Sequence, residues 1–315
     1  MSYKSRFIYA AFLIPFLTAC GGGGGSSGAN SVNAADTYVG VTSQVILSDE
    51  NSDEYSPVVA SMNNTGSALS GVEVSQNSKV SFNTIRSFSN MIVNNIGNTE
   101  NSNLAGVEES NIIYGDCGGY ANLSYNDNSG ETTGTVTFQD FCECGETMNG
   151  IGYISVSYNE TLGSANSITF ISDGVASSTA GAGTSKLYGS VIYSNYRNDF
   201  KSFDALINTV SYDMSLYYWM NNVSASYDDY STYATQTLDG LIYISDLGYA
   251  ELSTIDPVKF EIVTCDTTHP YDGELLIQGR ENTHARIIYD QGSFDIFGDF
   301  DGDDVEEFSE QNVSW

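Results

Sequence analysis

Positive charge is what this sequence lacks most. Its 315 residues contain 10 Lys and Arg against 40 Asp and Glu, a formal net charge of −30. A phosphate-binding surface needs a basic footprint, so the composition excludes a nucleic-acid-binding protein. It also excludes a bare basic patch for anionic lipid. Apolar residues still make up 41% of the chain, which is too many for an intrinsically disordered protein and enough for one large or two small domains.

Catalytic signatures are also scarce. The two histidines, His269 and His284, stand at a turn and at a strand start, where histidine is more often incidental than catalytic. The sequence has no HExxH zinc motif, no GxSxG nucleophile motif and no complete glycine loop for phosphate. With 40 acidic residues, a carboxylate pair for glycoside hydrolysis is uninformative when found in sequence alone. These absences favour a non-catalytic protein.

The N-terminus has an apolar run that is too short to span a bilayer. Phe7–Ala19 is 13 residues long, against the ~20 that a transmembrane helix needs. It follows Lys4 and Arg6, which is the arrangement of an export signal. The run ends Leu17-Thr18-Ala19-Cys20, which resembles a bacterial lipobox. The resemblance implies that residues 1–19 are removed and that Cys20 is lipidated, whereas the alternative is an ordinary secretory signal with a chance Cys.

A tether follows the predicted lipid anchor. Residues 20–34 are predicted to be the lipidated Cys and a Gly/Ser-rich linker, because Gly21–Gly28 contains only Gly and Ser and such a composition is a flexible coil. Gly21 is not the Asp that retains lipoproteins in the inner membrane in the familiar enteric pattern. The outer membrane is therefore the predicted location. The processed chain would have 8 basic and 40 acidic residues, since only Lys4 and Arg6 are lost, and a charge of 8 − 40 = −32.

Four further cysteines predict two disulfides. An even number of cysteines in an exported chain is typical of a disulfide framework. Residues 120–125 and 131–140 alternate as two strands of a hairpin, which places Cys117 near Cys142 and leaves Cys144 to pair with Cys265. The alternative is a redox or metal motif at Cys142 and Cys144. Without a neighbouring His or second CxxC, the structural role is favoured.

The hydrophobic pattern predicts a mainly β protein. From Gly119 onward apolar residues alternate with polar ones in short runs separated by Gly, Asn and Asp, and no helical pattern interrupts them. Such a pattern favours antiparallel hairpins over a parallel sheet. About a dozen strands should form a curved or barrel-like antiparallel meander, or split into a sandwich. Residues 117–315 are the predicted β domain.

The region before the β domain is predicted to be polar, with one or two N-terminal helices. Within residues 35–116, the best helix candidate is near 78–97, where Ile85, Phe88 and Ile92 have helical spacing. Residues 29–55 are polar and acidic, and weak structure is predicted there.

An internal echo suggests duplication of a β-hairpin unit. Residues 147–189 and 237–279 align without gaps at an offset of 90 and share 9 identities in 43 positions. Both segments begin with a Thr-x-x-Gly strand entry, containing Gly150 in the first and Gly240 in the second. Duplication would give the two halves related strand geometry.

The sharpest local signal is acidic and lies near the C-terminus. Asp299, Asp301, Asp303 and Glu307 occupy positions 1, 3, 5 and 9 of a short loop, with the Val305 carbonyl at position 7. Hard cations want six to eight oxygen ligands, and this spacing supplies them in calcium loops. Glu310 falls at position 12, but position 6 is Asp304 where an EF-hand has Gly, and a strand precedes the loop. The prediction is a strand-flanked calcium loop; the alternative is a solvated acidic tail.

A second candidate site is aromatic. Five residues in one stretch could form a sugar-binding platform, with rings for stacking and a carboxylate for hydroxyl groups: Tyr217, Trp219, Tyr227, Asp228 and Tyr230. The alternative, which we favour, is that these aromatics simply pair across strands.

The chain resembles a loose group of uncharacterised gammaproteobacterial lipoproteins. The shared features are the lipobox with its polyglycine tether, the hairpin opened at Cys117-Gly118-Gly119, the strand entries at Gly150 and Gly240, and the terminal Asp-x-Asp-Gly-Asp loop. The resemblance implies a lipid-anchored outer-membrane protein and no particular activity.

The leading hypothesis is therefore a non-catalytic envelope or surface module, calcium-stabilised, with an envelope polysaccharide or protein as its partner. The first alternative is a carrier of a lipophilic ligand, which would need an apolar cavity inside the sheet. The second is a glycan-active enzyme, which would show two carboxylates ~5–10 Å apart beside exposed Tyr or Trp.

Overall fold

A computed structural model describes ten stretches of the chain. They are residues 32–48, 108–128, 131–143, 145–159, 164–179, 184–197, 202–213, 216–230, 232–261 and 270–314. The helix predicted near 78–97, the signal and tether at 1–31, Cys144 and Cys265 lie outside these residues.

The described residues form one antiparallel sheet of 14 strands in the order of the chain. The strands are β1 Glu108–Tyr114, β2 Gly118–Asn128, β3 Glu131–Glu143, β4 Glu146–Asn159, β5 Ser164–Thr179, β6 Thr184–Arg197, β7 Ser202–Asp213, β8 Leu216–Asp229, β9 Tyr233–Ile244, β10 Gly248–Glu261, β11 Pro270–Gln278, β12 His284–Asp290, β13 Ser293–Asp299 and β14 Phe308–Ser314. A four-residue helix, α1 at Ala34–Thr37, and a 3₁₀ turn at Arg280–Asn282 complete the described structure. The predicted mainly β antiparallel meander is confirmed, and it is not closed, because β1 and β14 do not pair with each other.

One face of the sheet forms the core. Side chains alternate along each strand, as in β9 and β12, so that every second residue is buried. Apart from Val210 and Tyr243, which pack with Ala34 and Tyr38, the buried hydrophobic residues from β1 to β13 belong to one cluster. Its largest fully buried members are Tyr125, Phe141, Phe170, Phe260, Leu47, Leu123 and Met148. We call this the inner face and the opposite one the outer face.

A line of ladder interruptions crosses the sheet from β3 to β11. Residues with positive φ stand along it on neighbouring strands, among them Gly150 (+123°), Gly189 (+110°), Gly240 (+152°) and Gly273 (+118°). The pairing register breaks beside them between Asn149 and Gly152 and between Ala250 and Val258. Such bulges bend strands and increase twist, which gives the sheet its curvature.

The two segments of the internal sequence repeat share one local structural feature, a glycine on this line of bulges. Gly150 and Gly240, the two glycines of the echo, both lie on the line and both have positive φ. A Cβ at Gly240 would lie 2.6 Å from the Cα of Val223 in the next strand, so only glycine allows this approach. Duplication itself stays a prediction.

Residues 32–48, which we call the strap, run across the ends of the strands. Asn33 caps α1 by accepting from the N–H of Ala35 (3.2 Å). The strap then hydrogen-bonds to the β9–β10 turn, where the Val41 N–H donates to the Ser245 carbonyl (2.8 Å). Beyond it, Leu47, 1% exposed, joins the inner core.

The strap corrects one prediction. The sequence predicted weak structure for residues 29–55, and for 32–48 this is wrong because apolar side chains at alternate positions, Val45 and Leu47, are buried in the main core. The first strand, Glu108–Tyr114, also lies in the segment that the sequence assigned to the polar N-terminal region.

Candidate functional site

The acidic loop connects the last two strands and folds around its own backbone. Asp299 ends β13 and its side chain is fully buried. Its two carboxylate oxygens accept from the N–H groups of Gly302 and Asp304, both at 2.7 Å. The Asp301 carboxylate accepts from the N–H of Asp303 at 3.2 Å, and the Asp303 carboxylate accepts from the N–H of Val305 at 2.9 Å. These are the local turns that Asp side chains favour.

Four predicted metal ligands meet in this loop. One carboxylate oxygen from each of Asp299, Asp301, Asp303 and Glu307 lies within 4.8 Å of the others. Carboxylate oxygens are the donors that calcium prefers. Glu310 is not in this group; it lies in β14 opposite Ile296. The loop therefore differs from an EF-hand at position 12 as well as at position 6, although Glu310 occupies position 12 in the sequence.

Two residues give the loop its tight path. Asp304, at position 6, has φ +67°, so it adopts the left-handed conformation that Gly supplies in an EF-hand, and Asp tolerates this better than most residues. Gly302 has φ +78°, and an added Cβ would lie 2.2 Å from the Glu281 carbonyl oxygen. The loop is thus packed directly on the β11–β12 connection, where Glu281 and Asn282 also have positive φ.

The electrostatics of the loop depend on Asp299. Burial acts to raise the pKa of the Asp299 carboxyl, but the N–H groups of Gly302 and Asp304 and the nearby His284 outweigh it and hold the pKa below its ordinary value. His284 Nδ1 lies 3.7 Å from Asp299 Oδ2. The carboxylate is therefore in its charged form, the form that binds a cation.

One arginine joins the loop to the sheet. Arg286 Nε donates to Glu274 in β11 (2.7 Å) and its terminal nitrogen donates to Glu306 in the loop (2.6 Å). These hydrogen bonds, Glu274 first, raise the pKa of Arg286 above its ordinary value. Glu306 thus has a cationic partner, whereas the four converging carboxylates face one another.

The β11–β12 connection also holds the strap. The N–H of Arg280 donates to the Val45 carbonyl at 2.6 Å, and the Thr283 hydroxyl accepts from the N–H of Leu47 at 3.1 Å. The connection therefore contacts the acidic loop at Gly302 on one side and the strap on the other.

The aromatic candidates do not form one platform. Tyr217 and Trp219 are half-buried on the outer face beneath the strap, where Tyr38 lies 5.4 Å from Trp219 and Tyr243 stacks on it at 4.5 Å (ring centroids). The Trp219 indole donates to Asn208 Oδ1 (3.0 Å). These rings are packed with protein aromatics, which matches the structural alternative.

The other aromatic candidates lie at the far end of β8. Asp228 and Tyr230 are exposed, and Tyr230 stacks on Tyr233 with centroids 5.0 Å apart. The side chain of Tyr227 lies outside the described residues. At about 3.3 Å per residue, Trp219 and Tyr227 are roughly 26 Å apart along the strand, so the two ends cannot hold one small sugar.

One predicted disulfide is present. Cys117 and Cys142 are bonded, with Cα atoms 5.1 Å apart, as the hairpin predicted. Asp116 lies beside them, but two sulfurs bonded to each other are not thiolate ligands, so this group is not a metal site. Cys20, Cys144 and Cys265 lie outside the described residues.

The sequence missed the parts that support the loop and the strap. Arg286 and the close packing of Gly302 on Glu281 were not singled out for the loop, nor was Tyr38 for the strap. Alternation of Val45 and Leu47 was a signal for the strap, whereas nothing local indicated that Arg286 would bridge Glu274 and Glu306.

Comparison with known proteins adds nothing to these observations. No family model, curated protein or solved structure matches this chain. Within the described residues, no helix has the length and apolar character needed to cross a membrane.

Proposed function

We propose that this protein is a non-catalytic outer-membrane lipoprotein, anchored through Cys20, whose β domain binds calcium in the loop Asp299–Glu307. The observation that carries the calcium site is the convergence of four carboxylates within 4.8 Å. In a chain of net charge −30, such a cluster is electrostatically costly without a cation. The anchor rests on the export signal, the Ala19-Cys20 boundary and the glycine tether.

The ion would act on the last hairpin of the sheet. Asp299 ends β13 and the Glu307 carboxylate accepts from the N–H of Phe300 (3.1 Å) just before β14 begins. A cation held by both residues would join the two ends of the loop. It would supply positive charge where the chain has little, and would favour contact with anionic envelope polysaccharide through a bridging ion.

A non-catalytic role fits the inner face better than a carrier role does. Tyr125, Phe141, Phe170 and Phe260 are large and fully buried there, so protein side chains occupy the positions that an acyl ligand would need. We propose that the partner binds outside the sheet.

Thermal unfolding of the intact protein tests the calcium site. Calcium at 100 times its dissociation constant should add about 2.7 kcal/mol, which raises Tm by roughly 5–10 °C over the value in EDTA for a domain of this size. Asp301→Asn should abolish the increase, since it removes one ligand charge. Glu310→Gln is the matched control and should keep it, because Glu310 lies outside the ligand group.

Two other results of the unfolding experiment would contradict the proposed calcium site or its ligand set. Equal Tm values in calcium and EDTA for the unmodified protein would show an acidic loop without an ion. Loss of the effect in Glu310→Gln would indicate an EF-hand-like ligand set that rearranges on binding.

The anchor has a separate test. In cells supplied with labelled palmitate, the wild type should take up label and partition with outer membranes. Cys20→Ser should do neither. Label retained by Cys20→Ser would remove the lipoprotein assignment while leaving the calcium site unaffected.

A further inference from the structure

Among the described residues, the first strand of the sheet has one unpaired edge. β1 pairs with β2 alone among the described strands. Its register is uninterrupted from Glu108 opposite Asn126 to Tyr114 opposite Tyr120. A straight strand of this kind presents a regular row of backbone donors and acceptors.

The backbone geometry identifies which groups point outward. The N–H of Gly115 donates to the Gly119 carbonyl (3.4 Å), which marks these two residues as a hydrogen-bonded pair. In an antiparallel ladder such pairs alternate. Asn111 and Ile113 therefore bond to β2, and Ser110, Ile112 and Tyr114 direct their N–H and C=O groups to the open side.

Several protections of an edge strand are missing from β1. Residues 108–114 contain no Pro, no Lys and no bulge, and their charged residues, Glu108 and Glu109, stand only at the start of the strand. Instead, Ile112 is 55% exposed and Tyr114 is 74% exposed on the outer face, while Ile113 between them is buried. The strand thus offers apolar side chains as well as free backbone groups.

The negative charge around β1 indicates which kind of chain could pair with its edge. Residues 108–179, which include β1 to β5, contain ten Asp and Glu and no Lys or Arg. Three of the acids, Glu108, Glu109 and Asp116, lie in or next to β1. A second copy of this chain would bring the same negative charge to the edge, so pairing of two copies is disfavoured.

We propose that the β1 edge binds an extended, basic segment of a partner protein by adding it as a further strand. Backbone hydrogen bonds to Ser110, Ile112 and Tyr114 would supply affinity. Apolar side chains at alternate positions would contact Ile112 and Tyr114, and Lys or Arg would meet the acidic half of the sheet. This interaction is independent of the calcium site and goes beyond it.

A peptide-binding experiment on the full-length protein carrying Cys20→Ser tests the proposal. The probe is a synthetic peptide of about 9 residues, the length of a strand, in which Lys and Val alternate. We expect it to bind, with an affinity that falls as salt is added, and we expect the same peptide with Glu in place of Lys not to bind. Hydrogen exchange should slow at the amides of Ser110, Ile112 and Tyr114.

Two variants of Ser110 test whether the peptide binds through the backbone of the β1 edge. Ser110→Pro removes an outward N–H that β2 does not use and should weaken binding roughly tenfold or more. Ser110→Ala loses the same hydroxyl but keeps the N–H, and should bind like the wild type. Equal Tm values for the two variants would show that both are folded.

Several results would overturn the proposal. The Lys peptide could fail to bind, or its binding could be unaffected by Ser110→Pro. A wild-type dimer that Ser110→Pro dissociates would show that a second copy of the chain occupies the edge. Amides of Ser110, Ile112 and Tyr114 that are already protected in the free monomer would assign the edge to another segment of the same chain.

Discussion

The two edge strands of this sheet differ in how they meet solvent. β1 is continuous and regular, whereas β14 has a register break opposite Phe294 and Ile296, and Asn312 within it has φ +57°. The N–H of Asn312 donates to the Asp295 side chain at 2.8 Å rather than to a ladder carbonyl. An irregular edge resists pairing with a further strand. One end of the meander therefore has an irregular edge that disfavours pairing, whereas the other end has a regular one.

The two ends also differ in ion pairing. Near the C-terminal edge, Arg286 binds Glu274 and Glu306, and Lys259 binds Asp272. The C-terminal end therefore pairs some of its acids, although residues 259–315 still contain 14 Asp and Glu against three Lys and Arg, whereas residues 108–179 have no Lys or Arg with which to form such a pair.

The largest expected effect concerns the loop that supports the β14 edge. Gly302→Ala places a Cβ 2.2 Å from the Glu281 carbonyl oxygen at φ +78° and should cost about 3 kcal/mol or more. Gly292→Ala has a similar φ of +84° but nothing within 4 Å, and should cost only about 1 kcal/mol. Urea unfolding compares the two. Equal decreases in the free energy of unfolding would mean that the loop can move to accommodate the Cβ, and that the C-terminal edge is not rigid.

The second test addresses the β1 edge. Ile113 is 8% exposed and Ile112 is 55% exposed, although the two are neighbours. Ile113→Ala should cost about 2–3 kcal/mol by leaving a cavity, and Ile112→Ala less than about 0.5 kcal/mol. Chemical denaturation measures both. A large loss at Ile112 would show that its side chain is already covered, and would weaken the contrast between the edges.

A smaller effect on stability is expected when Arg286 is replaced by a neutral residue. Arg286→Gln leaves Glu274 and Glu306 without their cation and should cost about 1 kcal/mol. Arg280→Gln, whose side chain is 55% exposed and pairs with adjacent Glu281, should be nearly neutral. If high salt removes the difference between the variants, simple screening explains it. If the difference persists, the hydrogen-bond geometry of Arg286 is responsible.

The smallest effect lies between the edges, in the strap. Burial first, then Tyr243 and Asp246, raises the pKa of Tyr38 from 10.0 to about 12. The folded state favours the neutral phenol, so this contribution to stability is fully present below about pH 10 and is lost as pH rises towards 12. Burial also raises the pKa of Tyr271, so absorbance titration of tyrosinate should lose one of its late-titrating groups, the latest, in Tyr38→Phe. Its persistence in that variant would assign it to another tyrosine.

The sheet was predictable because strand signals are local. Alternation in runs such as Ile154, Val156 and Tyr158, separated by turn residues, carries the fold without any long-range information. The acidic loop was predictable for the same reason: all four converging carboxylates lie between Asp299 and Glu307. The hairpin turn likewise predicted the Cys117–Cys142 pairing.

The strap and the aromatic cluster were not predictable, because their contacts join distant parts of the chain. Leu47 meets Thr283 across 236 positions, and Tyr38 covers Trp219. Composition showed that the stretch near Trp219 is rich in aromatic residues. It did not show that Tyr38, from a polar N-terminal segment, would cover Trp219. Register, bulges and edge exposure also depend on neighbouring strands, which a single sequence does not reveal.

The order of the strands has a consequence for how the chain folds. Because each strand pairs with its sequence neighbours, hairpins form from short loops and the sheet grows one strand at a time, which favours rapid folding. The strap is the exception: it precedes the sheet in the chain, yet it contacts the β9–β10 turn through Val41 and the Arg280–Thr283 connection through Val45 and Leu47. Complete docking of the strap therefore requires strands from the C-terminal half of the sheet, although the strap itself lies near the start of the chain.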